Sequence, residues 1–262
     1  MAINGRGEPS PVGDGLTDEI MRGEVGSPKV PPSIRIAETF VSRQGEGKLT
    51  GTESFFIRTS GCNLRCWFCD TPYASWNPEG DRQSVRGLVE TAIASGTRHV
   101  VLTGGEPLLP IAAETLVREL RAAGLHVTIE TAGTVLRDVT ADLLSISPKL
   151  AGSGPQGDQA EGKWGQRHEA TRWRPDVIRA LIAQSLEHQL KFVVDTPEDF
   201  DAAAQAANEL EAAPQSVWIM PQGIDAAGLD AKAAWLTPLC ERHGFRYCDR
   251  MHVRWYGNRR GT

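Results

Sequence analysis

The residues best suited to chemistry lie in Gly61-Cys62-Asn63-Leu64-Arg65-Cys66-Trp67-Phe68-Cys69-Asp70-Thr71, where three cysteines spaced C-x3-C-x2-C close an apolar run. Thiolates this close together can hold three corners of a metal cluster, and thiolate sulfur suits iron-sulfur clusters as well as zinc. A cube bound this way keeps one corner free of protein. An open iron can take a small molecule through amino and carboxylate groups and pass it an electron, so three ligands in place of four point to chemistry.

Structural zinc is the alternative to weigh. It asks for four closed ligands, usually as two C-x2-C pairs, whereas Cys240 and Cys248 stand far downstream without that spacing. A zinc site would have to borrow one of them, or His252. Five cysteines in 262 residues are too sparse, and odd in number, for a disulfide framework. Cys240 and Cys248 read as ordinary buried thiols. His99, His126, His168, His188 and His243 lack ligand-like spacing and read as surface or packing residues, while His252 lies beside a distinctive C-terminal stretch.

The composition, 40% hydrophobic and 23% charged, is that of a soluble globule long enough to bury a core. A formal charge of -5 gives no general attraction to nucleic acid or an anionic membrane, so neither is an expected direct partner. No apolar run approaches the roughly twenty residues needed to cross a bilayer, and the stretch before Ser33 lacks a signal-peptide core. Reduced thiolates fit a cytoplasmic location.

The elements around the cysteines follow from the apolar pattern. Residues 1–32, rich in Gly, Pro, Ser and charge, are expected to be a disordered extension, with one domain over 33–262. Ile34 and Ile36 alternate with polar neighbours and lead into Thr39-Phe40-Val41, which suggests an edge strand or strand-like entry. The strand Ser54-Phe55-Phe56-Ile57-Arg58 delivers the cysteines, and 73–80 reads as loop. Helices are expected over 84–95, 111–123, 175–187, 197–212 and 226–243, and strands over 98–102, 125–130, 142–146, 189–194, 216–220 and 244–248. The acidic, alanine-rich helix near 198–213 reads as a solvated face. Such alternation implies a parallel sheet with right-handed crossovers. No Gly-x-Gly-x-x-Gly follows the first strand, so a dinucleotide fold has no support. The Gly- and charge-rich insert 151–174 could be a lid, an interface or a disordered segment, and sequence alone does not choose.

Unusual polar groups fall just past the strands: the cysteine stretch, Thr103-Gly104-Gly105-Glu106-Pro107, Glu130-Thr131-Ala132-Gly133, Ser147-Pro148-Lys149, Asp195, and Pro221-Gln222. Carboxyl ends of strands form the active-site rim in α/β barrels and open sheets, so the fold class expected is a partial (β/α)6 barrel, open on one side. Gly104 and Gly105 would let backbone approach a ligand, and Glu106 offers an anion for an ammonium group. Ser42-Arg43-Gln44-Gly45-Glu46-Gly47 forms a polar loop. Arg58 suits a carboxylate if it faces a cavity, and is a surface charge if it does not. The Thr71 hydroxyl is a hard oxygen of the kind magnesium accepts.

With Phe68 before its last cysteine, the C-x3-C-x2-C motif resembles the signature of the radical S-adenosylmethionine (SAM) superfamily, and Gly104-Gly105-Glu106-Pro107 resembles the stretch that holds the SAM amino group. Asp70-Thr71, Gln44 to Gly47 and Arg58 add a narrower likeness, to the 7-carboxy-7-deazaguanine synthases. The ending supports it: Arg250-Met251-His252 and Trp255-Tyr256-Gly257-Asn258-Arg259-Arg260-Gly261 resemble that family's Arg-Leu-His and Trp-Gly-Asn-x-Arg-Gly, with Tyr256 inserted. The likeness runs from about Ser33 to Thr262.

The resemblance implies a TIM-like partial barrel and a radical SAM lyase converting 6-carboxy-5,6,7,8-tetrahydropterin to 7-carboxy-7-deazaguanine and ammonia in 7-deazapurine (queuosine-type or secondary metabolite) biosynthesis. It implies a 4Fe-4S cluster on Cys62, Cys66 and Cys69, and magnesium on Thr71. SAM would lie among Phe68, Cys69, Asp70, Gly104, Gly105, Glu106, Ser147, Pro148 and Lys149. The pterin would meet Arg43, Gln44, Gly45, Glu46, Arg58, Thr103 and Glu130. A homodimer and an external one-electron reductant such as flavodoxin or ferredoxin are also implied. A glycyl-radical activating enzyme shares the cysteines and Gly-Gly-Glu-Pro but would not call for Gln44 to Gly47 or Asp70-Thr71.

Overall fold

The strand carrying Phe55, Phe56 and Ile57 is buried on both faces, as a parallel strand covered on each side must be. The computed structural model describes residues 31–262, so the expected N-terminal extension lies almost wholly outside the described residues. In chain order the elements are β1 (Ser33–Arg43), β2 (Glu53–Thr59), α1 (Pro72–Ser75), β3 (Asp81–Ser84), α2 (Val85–Ala94), β4 (His99–Gly104), α3 (Ala112–Ala122), β5 (His126–Thr131) and β6 (Leu143–Ile146). There follow α4 (Lys163–Thr171), α5 (Pro175–Gln184), β7 (His188–Val194), α6 (Pro197–Glu209), β8 (Val217–Pro221), α7 (Ala226–His243), β9 (Arg246–Tyr247) and α8 (Met251–Tyr256).

One sheet runs β3-β1-β2-β4-β5-β6-β7-β8-β9. Pairing is antiparallel where β1 meets β2 and β3, and parallel from β2 through β9. The sheet has two ends and is not closed, consistent with the partial barrel expected. Local chemistry starts several helices where the pattern predicts. Ser84 accepts the Gly87 N–H at 3.1 Å ahead of α2, and Asp225 accepts that of Gly228 at 2.8 Å ahead of α7. Thr196 and Asp199 close a reciprocal capping box on α6, with Pro197 at its first position.

Four expectations need correction. β1 is an edge only in part: β3 pairs with Ser33 to Ile36 on its outer side and stops short of Thr39-Phe40-Val41; β3 is Asp-Arg-Gln-Ser, fully exposed, and has no apolar pattern to betray it. The insert is not all loop: it holds α4, a polar helix with only Gly165 and His168 buried. Residues 73–80 open with the last three residues of the short helix α1. The alanine-rich α6 is solvated on one side only, since Phe200, Ala203, Ala206 and Ala207 pack inward.

Candidate active site

Between Thr59 at the end of β2 and Pro72, no residue of the cysteine loop lies in a helix or strand, so its shape is imposed by what it packs against. The end of β4 is its floor. Gly105 N–H donates to Thr59 O at 3.1 Å and Glu106 N–H to Gly61 O at 2.9 Å. A Cβ on Gly104, which sits at φ +133, would come within 2.2 Å of Thr59 O, and one on Gly105 within 2.1 Å of Gly61 O. Only glycine permits this contact, and it makes the double glycine a seat for the cysteines as well as a backbone surface for a ligand.

Glu106 departs from its expected role. Its side chain is completely buried and takes no part in the cavity wall. It accepts from the Thr131 hydroxyl at 2.7 Å, Ala132 N–H at 2.9 Å and Leu108 N–H at 3.1 Å. Burial raises its carboxyl pKa while these three donors lower it, and burial prevails. Glu106 therefore braces the end of β5 from behind. Pro148 also turns away, into a smaller recess beside Trp67 and Gln222.

Every other expected residue lines one cavity of about 510 Å³ at the carboxyl ends of the strands. It is lined by Cys62, Cys66 and Cys69 with Phe68, Asp70 and Thr71, and by Gly104, Gly105, Ser147 and Lys149. Burial pushes the Cys62 thiol up to about 12 and that of Cys66 up to about 11. Both are thus protonated near neutral pH, and metal ligation would release those protons. Cys69 Sγ lies 3.1 Å from Ser75 Oγ and 3.9 Å from Thr71 Oγ1.

The same cavity carries a hydrogen-bonded carboxylate. Glu130 accepts from Gln44 Nε2 at 3.0 Å and from Thr103 Oγ1 at 2.9 Å, and Gln44 Oε1 in turn accepts the Glu46 N–H at 3.0 Å. The Gln44 to Gly47 loop is held closely by the C-terminal region. Met251 N–H donates to Gly45 O at 2.9 Å, and a Cβ on Gly45 would lie 2.5 Å from the His252 ring. Gly47 N–H reaches Cys248 Sγ at 3.1 Å, so Cys248 is buried as expected yet serves the loop.

Glu46 forms a buried ion pair with Lys191 of β7, with Arg250 Nε at 3.5 Å and His252 Nδ1 at 3.8 Å. Burial alone would raise the Glu46 pKa, but Lys191 first, then His252 and Arg250, hold it well below the usual carboxylate range. Burial likewise disfavours charged Lys191, yet Glu46, Glu130 and Cys248 hold its pKa above the ordinary value. Arg250 also pairs with Asp70 and the Gly223 carbonyl, joining the cysteine loop to the chain's end. Arg58 faces the cavity and pairs at 2.7 Å with Glu38, which also accepts from Tyr73 at 2.8 Å and Arg260 at 3.0 Å. Arg43 lines the cavity and stacks on Trp255 at 5.3 Å.

Sequence reasoning missed Lys191. The available signal was a lone lysine inside the apolar strand Leu190-Lys191-Phe192-Val193-Val194. It also passed over Ser145, which borders the same cavity and looks like a plain core position in the sequence; the tail run Asn258 to Arg260, singled out by its resemblance, borders it too.

Comparison with known proteins places the chain in a family. Residues 56–207 match the radical SAM superfamily model. The 7-carboxy-7-deazaguanine synthase of Rhodopirellula baltica is 53% identical over 230 residues, covering 88% of this chain and 89% of the relative. That of Halobacterium salinarum is 44% identical over 85% of this chain and 90% of its own length. The crystal structure of QueE from Escherichia coli superposes with a TM-score of 0.59 at 24% identity, covering 84% of this chain and 95% of that one, which supports the fold. Identity of this extent, on a chain whose cysteines and Gln44 to Gly47 loop open onto one cavity, makes it a member of the 7-carboxy-7-deazaguanine synthase family within the radical SAM superfamily.

Proposed function

We propose that this chain converts 6-carboxy-5,6,7,8-tetrahydropterin to 7-carboxy-7-deazaguanine and ammonia. The observation that carries the reading is that the three cysteine side chains and the Gln44, Thr103, Glu130 group share one cavity. Cys62, Cys66 and Cys69 would hold a four-iron four-sulfur cluster, and their thiol donors suit it. With SAM bound, that cluster supplies a carbon-centred radical able to take a hydrogen atom from a substrate carbon, fed by an external one-electron reductant.

The chain's own share is placement. The open backbone at Gly104 and Gly105, with Ser147 and Lys149 lining the same cavity, would hold SAM beside Phe68. Lys149 Nζ donates to both Ser147 Oγ and Ser147 O at 2.7 Å, which fixes its ammonium near the cysteines. Glu130 has its two oxygens aligned by Gln44 and Thr103, an acceptor pair matched to the N–H edge of a pterin. Arg58, bordering the cavity beside Phe56, would meet a carboxylate. Thr71 Oγ1 would serve magnesium, together with substrate oxygens, and this keeps the reacting carboxylate in one pose. A homodimer and a cytoplasmic setting complete the reading.

The test is anaerobic turnover of reduced protein with SAM and the carboxy-tetrahydropterin, followed by mass analysis. A deazapurine carboxylate is the expected product. Accumulation of 5′-deoxyadenosine without any deazapurine would reject the substrate, and zinc without iron in purified protein would reject the cluster.

A further inference from the structure

Past Ser147 and Lys149, the segment between β6 and α5 contributes no residue to the large cavity, yet its side chains converge on the cysteine loop. His168 of α4 is completely buried. Its Nδ1 accepts the Arg65 N–H at 3.1 Å, and its Nε2 lies 3.0 Å from Ser153 Oγ, whose hydroxyl donates to Leu150 O at 2.6 Å. With Nδ1 accepting and the Ser153 proton committed to Leu150, Nε2 carries hydrogen and donates to Ser153, so one tautomer satisfies every group.

Two further contacts come from the same segment. The Ser153 carbonyl accepts the Trp67 N–H at 3.2 Å. Trp164 lies 3.7 Å from the Arg65 guanidinium, which itself donates to Cys62 O at 2.9 Å and Leu64 O at 2.7 Å. Arg65 and Trp67 flank Cys66, so the amides on both sides of that cysteine are gripped by one segment. At its far end Arg172 donates to Lys149 O at 3.3 Å, tying it back to the turn after β6.

We propose that residues 153–168 are a clamp on the cysteine loop, with His168 a positioning residue that sets the backbone of Cys66. A loop without regular structure has no hydrogen-bond ladder of its own, so donors that would otherwise be orphaned find their acceptors in the clamp. The inference rests on the cysteines being cluster ligands for its consequence in the enzyme, but the clamp itself is a property of the protein chain.

Two measurements separate these. Hydrogen exchange on full-length chain purified without iron tests the clamp alone. His168→Leu keeps volume but removes both ring nitrogens, and is expected to speed exchange in the Asn63 to Phe68 peptide roughly tenfold, with β4 and β5 peptides unchanged. His168→Asn, whose Oδ1 can replace Nδ1 as the acceptor, is expected to restore most of the protection. If His168→Leu does not fold, Trp164→Ala is measured in its place and is expected to move the same peptide. After anaerobic reconstitution, iron loss to a chelator is expected to be several-fold faster in His168→Leu and intermediate in His168→Asn, with altered electron paramagnetic resonance of the reduced cluster. Unchanged exchange in that peptide, or acceleration spread evenly over the protein, overturns the clamp. A local exchange effect in a protein that never takes up iron upholds the clamp and overturns the cluster reading.

Discussion

Replacing Lys191 by methionine removes the ammonium and keeps most of the stem. The pair it breaks is deeply buried, with side-chain exposures of 6% for Lys191 and 14% for Glu46. Removing one partner of such a pair costs about 3–5 kcal/mol, because the other charge stays desolvated without its counterion. Arg250 at 3.5 Å remains beside Glu46, whereas burial lowers the pKa of His252 and keeps it neutral near pH 7. Arg250 softens the loss, which places the expected cost near the lower end, about 3 kcal/mol. In the double variant with Glu46→Gln neither charge is stranded. Its deficit is expected to fall short of the sum of the single ones by about 1–2 kcal/mol.

Urea unfolding followed by circular dichroism, at fixed iron content, measures the cycle. The pH dependence supplies a second check. Glu46 has its folded pKa lowered, so its contribution is complete above the ordinary 4.5 and fades as pH falls below it. Lys191 has its folded pKa raised, so its contribution is complete below the ordinary 10.5 and fades only as pH climbs beyond. The Lys191→Met deficit is therefore expected to be level from about pH 5 to about pH 10. A coupling below about 0.5 kcal/mol, or a deficit that swings across neutral pH, would refute the buried pair as a determinant of this loop.

Gly105→Ala forces a methyl to within 2.1 Å of the Gly61 carbonyl, so the variant is expected to lose most of its iron even if it folds, as read by iron content per chain. Thr71→Ala is expected to blunt the response of turnover to added magnesium; an unchanged magnesium titration removes that residue from the site. Arg260 stacks on Tyr73 at 3.9 Å and pairs with Glu38 and Glu79 at 3.0 and 2.9 Å. Arg260→Ala is expected to free the tail residues that border the cavity and raise KM several-fold while leaving cluster content unchanged, as measured by steady-state kinetics beside iron analysis.

What the sequence by itself determined are features whose physics is local. Cysteine spacing follows from the reach of a short loop, and strand burial from unbroken apolar runs such as Phe55 to Ile57 and Val100 to Leu102. Helix starts follow from capping side chains such as Thr196 and Asp225. The placement of chemistry at strand ends is legible too, because β/α alternation with right-handed crossovers puts those ends on one rim.

Only the tertiary structure decided which partner each charge would find. Glu46 meets Lys191 across 145 residues and Arg250 meets Asp70 across 180, and no periodicity in the chain encodes such distant pairs. The same holds for Glu106, whose motif suggested a ligand contact but whose carboxylate is claimed by Thr131 and Ala132. It holds for His168, which looked like a stray histidine in a polar insert. A polar side chain in a folded interior takes its role from whichever donors and acceptors the fold brings within about 3 Å, and that choice is made by packing, after the local elements already exist.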